Sequence, residues 1–145
     1  MGATILVEKG HEAVLRPLLE ARHTQPPDEL DKRRNSQPPQ TVGALEIYEG
    51  KKVISEGGQS FELYPIAGSP HVDPMVLGYA SSARALFQPD LYTPPSTMPG
   101  GPLAVHLLQS IKALNLRVDT MVGGHGGTGS WADFVKAAAP GPSSD

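Results

Sequence analysis

The spacing of apolar residues changes twice along this chain, and those changes restrict the possible folds more than any single motif does. Residues 3–8 are a short β-branched and apolar run that reads as a buried strand. After Lys9-Gly10, the residues Ala13, Val14, Leu15, Leu18, Leu19 and Ala21 recur at near-helical spacing. Pro17 lacks an N–H, so this helix is expected to begin near Leu15 or to kink at the proline. From Ala44 the period falls to two. Leu45 and Ile47, then Val53 and Ile54, predict a hairpin joined at Glu49-Gly50. Glu56-Gly57-Gly58-Gln59 is a further turn, and residues 60–66 alternate Phe61, Leu63 and Pro65 against Glu62, Tyr64 and Ile66. Residues 75–80 and 84–88 predict an antiparallel pair around Ser81-Ser82. Helical spacing returns with Leu103, Leu107, Ile111 and Leu114, and residues 118–122 predict a last strand. Ser130 with Asp133 three residues on caps a final helix, which Pro140 stops.

A strand, a helix, a run of antiparallel strands, then helix, strand and helix imply a layered α/β arrangement with helices over the sheet. The 145 residues suffice for one domain with its own core, expected over residues 1–139 with a disordered tail at 140–145. Residues 23–42 carry Pro26, Pro27, Pro38 and Pro39 among polar side chains and read as a long surface loop with one helical turn near residues 28–32.

Composition removes several classes of function. The formal net charge is -3, and Lys32-Arg33-Arg34 is the one basic cluster, read as a solvated loop, so nucleic acid is not an expected partner. The chain has no cysteine, which excludes disulfides, thiolate catalysis and Cys-based zinc sites. The first residues are charged too soon for a signal peptide, and no apolar run approaches membrane-spanning length. Neither observation assigns a compartment.

Three residues follow strand-like runs and sit in Gly/Pro-rich turns. They are His71 in Gly68-Ser69-Pro70-His71, Asp90 in Leu86-Phe87-Gln88-Pro89-Asp90, and His125 in Val122-Gly123-Gly124-His125-Gly126. Imidazole offers a nitrogen lone pair and carboxylate offsets ionic charge, so these residue types suit zinc and similar divalent ions. Residues on three separate loops act together only if the fold gathers them. The plainer reading of each is a polar turn residue. Asp73 reads as a turn cap or a carboxylate beside His71. His11 reads as a polar helix-start residue, His106 as solvent-facing, Trp131 and Phe134 as core, and Tyr92 as shaping its loop.

In order, strand context and flanking glycines, these three turns resemble the C-terminal half of a metallo-β-lactamase-fold hydrolase. Residues 3–22 are similar to the strand and helix that follow that family's first metal loop. The resemblance implies half of an αββα sandwich, with a largely antiparallel or mixed sheet and helices on one face. It implies one or two Zn2+ ions in the full family site, with His71 and His125 as terminal ligands and Asp90 as the bridging, catalytic carboxylate. The implied reaction is hydrolysis of a small-molecule ester, lactone, amide or phosphoester by metal-bound hydroxide. The family's His-x-His-x-Asp-His loop is absent, since His11, His23, His71, His106 and His125 are too far apart to form it. By the resemblance that loop would lie just before Met1. Half of the sandwich leaves one apolar sheet face open, which implies a homodimer or a separately encoded N-terminal half as partner. The alternative function is a non-catalytic dimerisation or partner-binding domain derived from the same fold.

Overall fold

The computed structural model describes residues 3–22, 25–37 and 44–139; the expected tail at 140–145 and His23 lie outside them. The chain divides into two compact units, residues 1–49 and 50–145.

In the N-terminal unit, β1 (Thr4–Glu8) pairs in parallel with β2 (Ala44–Tyr48), in register from Thr4 opposite Ala44 to Glu8 opposite Tyr48. Parallel strands need a crossover of a dozen or more residues. Here α1 (Glu12–Glu20) and α2 (Glu29–Arg34) lie in that connection. α1 begins at Glu12 and runs through Pro17, upstream of the start expected at Leu15. The basic cluster is helical rather than loop. Asp28 caps α2 by accepting the Asp31 N–H at 2.8 Å. Arg34 donates to the carbonyls of Leu19 and Ala21 and pairs with the buried Asp31 at 3.6 Å. It thereby satisfies acceptors that the end of α1 leaves open. β1 is not the buried strand its composition suggested. Val7 is buried, whereas Ile5 is exposed, because this sheet has two strands and no residue of α1 is buried against it.

The C-terminal unit holds a six-stranded sheet in the order β3 (Lys52–Glu56), β4 (Gln59–Ile66), β5 (Met75–Ala80), β6 (Ala85–Gln88), β7 (Thr120–Gly123), β8 (Thr128–Ser130). All neighbours are antiparallel except β6 and β7, whose connection carries α3 (Gly101–Ala113). The hairpin expected at Glu49-Gly50 does not form. β2 pairs with β1, and β3 turns back onto β4 through Gly57-Gly58, both at positive φ. Two consecutive positive-φ residues match the twist of a tight hairpin, and Glu49-Gly50 offers only one. β8 was not foreseen, since Thr128-Gly129-Ser130 carries no apolar alternation. It pairs with β7 and leads into α4 (Trp131–Ala137).

Alternation along the strands separates two faces. Tyr64, Ile66, Met75, Leu77, Tyr79, Leu86 and Met121 face a core completed by Leu107 and Ile111 of α3 and Phe134 of α4. Leu107 and Ile111 belong to the helical stripe read from the sequence, and Phe134 is the core residue expected, with the Trp131 ring centre 5.4 Å from its own. The opposite face presents Ile54, Phe61 and Phe87, all exposed. This is the mixed sheet with helices on one face expected of half a sandwich. Among the described residues, no helix is long and apolar enough to cross a membrane.

Candidate functional site

Each of the three turn residues leaves the sheet of the C-terminal unit where a strand ends. His71 lies between β4 and β5. There Gly68, at φ 71°, turns the chain, and its N–H donates to Asp73 Oδ1 at 2.9 Å. The His71 N–H faces Ser69 Oγ at 3.3 Å. Asp73 is therefore the cap of this loop. Asp90 follows β6, and His125 follows β7. The parallel register of those two strands, with Gln88 opposite Gly123, brings their exits side by side.

The glycines then allow the two exits to touch. The Gly124 N–H donates to the Gln88 carbonyl at 2.9 Å, and the Gly127 N–H to the Pro94 carbonyl at 3.2 Å. A Cβ at Gly124 would meet the Pro89 carbonyl oxygen at 2.6 Å, and one at Gly126 the Pro94 carbonyl oxygen at 2.4 Å. Side chains there would push the His125 turn off the Asp90 loop.

The result is a carboxylate between two imidazoles. Asp90 Oδ1 lies 2.9 Å from His125 Nε2, and Asp90 Oδ2 lies 3.5 Å from His71 Nε2. The Asp90 side chain is 33% exposed, His71 50% and His125 78%, so the group opens to solvent. Beside Asp90 is a cleft of about 220 Å³ whose lining includes Tyr92, Thr93, Ser96, Met98 and Leu103. No lysine or arginine among the described residues lines it. Tyr92 is buried and donates its hydroxyl to the Ser96 carbonyl at 2.7 Å, so it shapes the loop.

The arrangement fits part of a metal site. Each Asp90 oxygen faces one imidazole nitrogen, which gives one oxygen and one nitrogen donor per position, whereas an open catalytic zinc site takes three protein ligands. Among the described residues, no group of three or more His, Cys, Asp or Glu side chains is placed to hold one ion. The imidazoles gather on the carboxylate, not around a common point. The donor set of this chain alone does not complete the site.

Other histidines depart from or keep their expected places. His106 was expected to face solvent, but its Nε2 is buried with no hydrogen-bond partner among the described residues, and its ring approaches Gly68. The helical stripe placed it correctly on α3 but could not show that the Gly68 loop folds over it. His11 belongs to the N-terminal unit, with Nδ1 3.9 Å from Glu8 Oε2.

The residue that sequence reasoning missed is Gln88. It is fully buried at the end of β6. Its Oε1 accepts the N–H groups of Leu91 at 2.7 Å and Tyr92 at 3.0 Å, and its Nε2 donates to the Tyr92 carbonyl. The available signal was an amide at a position where β6 alternation requires a core residue.

No family model matches the sequence, and no curated protein matches it. Solved structures do. The metallo-β-lactamase from Pontibacter korlensis aligns with 89% of the chain at a TM-score of 0.51 and 18% identity. The metallo-β-lactamase superfamily protein from Sulfolobus tokodaii aligns with 94% at 0.53 and 19% identity. The metal-soaked flavodiiron core from Synechocystis sp. aligns with 94% at 0.62 and 14% identity. The chain spans 60%, 57% and 36% of those three proteins, respectively.

Proposed function

With the metallo-β-lactamase fold as premise, we propose that this chain is the C-terminal part of a metal-dependent hydrolase. In this reading Asp90, His71 and His125 contribute an incomplete set of donors, and the remainder comes from the part of the fold that these residues do not contain. The observation that carries it is the Asp90 carboxylate held between two imidazoles at three strand exits, beside a cleft. Similarity below 25% identity supports the fold and not the reaction, so the site geometry bears the weight. A divalent ion there would supply Lewis acidity toward an ester, lactone, amide or phosphoester. Asp90 would anchor it, and His71 and His125 would be terminal donors.

Zinc uptake by equilibrium dialysis tests this reading. The chain alone should hold zinc weakly, at no more than one ion, and Asp90→Asn should abolish that uptake. A chain carrying the His-x-His-x-Asp-His loop, added in trans, should raise it. Zinc binding that is unchanged in Asp90→Asn, or absent even with the second chain, sinks the proposal.

One observation favours a second reading, a non-catalytic domain acting through dimerisation or a partner. The sheet face opposite the helices exposes Ile54, Phe61 and Phe87, and exposed apolar faces of this kind mark interaction surfaces. Under that reading light scattering gives a dimer whose mass does not change with EDTA.

A further inference from the structure

The Asp90–His125 contact depends on how two loops are held, and both are held by one residue. We infer that Gln88 is the positioning residue of this pair: its side chain folds the Asp90 loop while its main chain docks the His125 turn. The inference rests on reading Asp90 as the anchor of the site.

The side chain uses both halves of its amide. Oε1 has two lone pairs and takes two N–H groups, of Leu91 and Tyr92, at 2.7 and 3.0 Å. Nε2 returns a hydrogen bond to the Tyr92 carbonyl. Three bonds from one buried amide wrap residues 89–92 into a tight turn. Leu91 and Tyr92 are pinned in the core on one side of Asp90, and Pro89 restricts φ on the other. The Asp90 side chain is then left to point out of the loop toward the two imidazoles.

The second attachment is independent of the first. The Gln88 carbonyl accepts the Gly124 N–H at 2.9 Å, one residue before His125. A displacement of Gln88 therefore moves the carboxylate and the imidazole by different routes. No other common side chain replaces it. Glutamate keeps the acceptor but faces the Tyr92 carbonyl with a second oxygen. Methionine fills the same space with no polar atom able to serve the two N–H groups, which are then buried unpaired.

The test compares Gln88→Met and Gln88→Glu with Asp90→Ala, which deletes the pair, and Ile111→Ala, which damages the core at the end of α3 remote from the loops. Urea unfolding measures stability, and long-range ¹H–¹⁵N spectra at one fixed pH read the His125 and His71 ring nitrogens in the folded chain. In Gln88→Met the His125 Nε2 resonance is expected to move most of the way to its Asp90→Ala position. Gln88→Glu should fall between it and the wild type. Ile111→Ala should lose at least as much stability with an unmoved His125 resonance. If Gln88→Met is too unstable to read, Gln88→Glu decides. A folded Gln88 variant whose His125 spectrum matches wild type overturns the inference. A wild type that takes up no zinc even with the second chain present, but whose His125 signature still responds to Gln88, overturns the hydrolase reading and leaves this one standing.

Discussion

A single methyl group on Gly124 measures how closely the two site loops are fitted. The added Cβ would lie 2.6 Å from the Pro89 carbonyl oxygen, 3.0 Å from its Cα and 3.2 Å from its carbonyl carbon. Close carbon–oxygen contacts in proteins stop at about 3.3 Å, so the loops must part by about 0.7 Å. All three atoms belong to the backbone of a proline, so no rotamer change relieves the clash. Overpacking of this kind costs about 1–3 kcal/mol. Stretching the Gly124 N–H bond to Gln88 adds about 1 kcal/mol. Gly127→Ala is the matched control: a Cβ there meets nothing within 4 Å, and its backbone is outside the left-handed region. Trp131 is the only tryptophan and packs on Phe134, so its fluorescence reports unfolding of the unit that contains both loops. With a urea slope of about 1–3 kcal/mol per molar, Gly124→Ala should lower the midpoint by about 1 M at constant slope. Gly127→Ala should stay within error of wild type. Coincident midpoints for the two alanine variants would refute the close fit of the loops.

Three further outcomes follow from the same unit. Phe134→Ala removes a fully buried ring that lies 5.0 Å from Tyr92 and should cost about 3–5 kcal/mol by circular dichroism in urea, and a loss below 1 kcal/mol would contradict its place in the core. His106→Leu deletes a buried nitrogen that has no partner among the described residues and should leave the thermal midpoint equal or higher, whereas a clear drop would reveal a partner for that nitrogen. Glu62 is held below the usual carboxylate range, first by its hydrogen bond from Lys51 at 2.7 Å and then by that from Tyr64, and Lys51 is pushed up to about 12. A depressed folded value means that Glu62 stabilises fully above its unfolded pKa and loses that contribution as pH falls through the folded one; urea midpoints taken from pH 7 down to pH 2 should therefore decline less in Glu62→Gln than in wild type, and parallel declines would exclude the pairing.

The turns bearing His71, Asp90 and His125 were legible because strand exits announce themselves locally, through an apolar run followed by Gly or Pro. The two imidazoles lie against one carboxylate, and that geometry does not follow from the turns. The sequence placed three donors at strand ends, and only the register of β6 against β7 puts two of those ends together. Gln88 escaped notice because a buried amide is identified by its partners, and its partners are main-chain groups common to every residue. The β2–β3 hairpin was misread for a related reason: a tight turn was visible at Glu49-Gly50, but the competing partner for β2 lies some 40 positions upstream in β1.

By itself the sequence determined the alternation of periods, the positions of the turns, the cap of α4, and the residue types able to bind a metal. These depend on neighbours within about four positions, where backbone geometry couples directly to side-chain type. The tertiary structure alone decided that β1 pairs in parallel with β2, that β8 completes the larger sheet, and that the Nε2 atom of His106 is buried. It also decided that the two imidazoles meet the carboxylate on different oxygens. Such contacts join residues far apart in the chain, and their energies are set by packing and register, which no local pattern encodes.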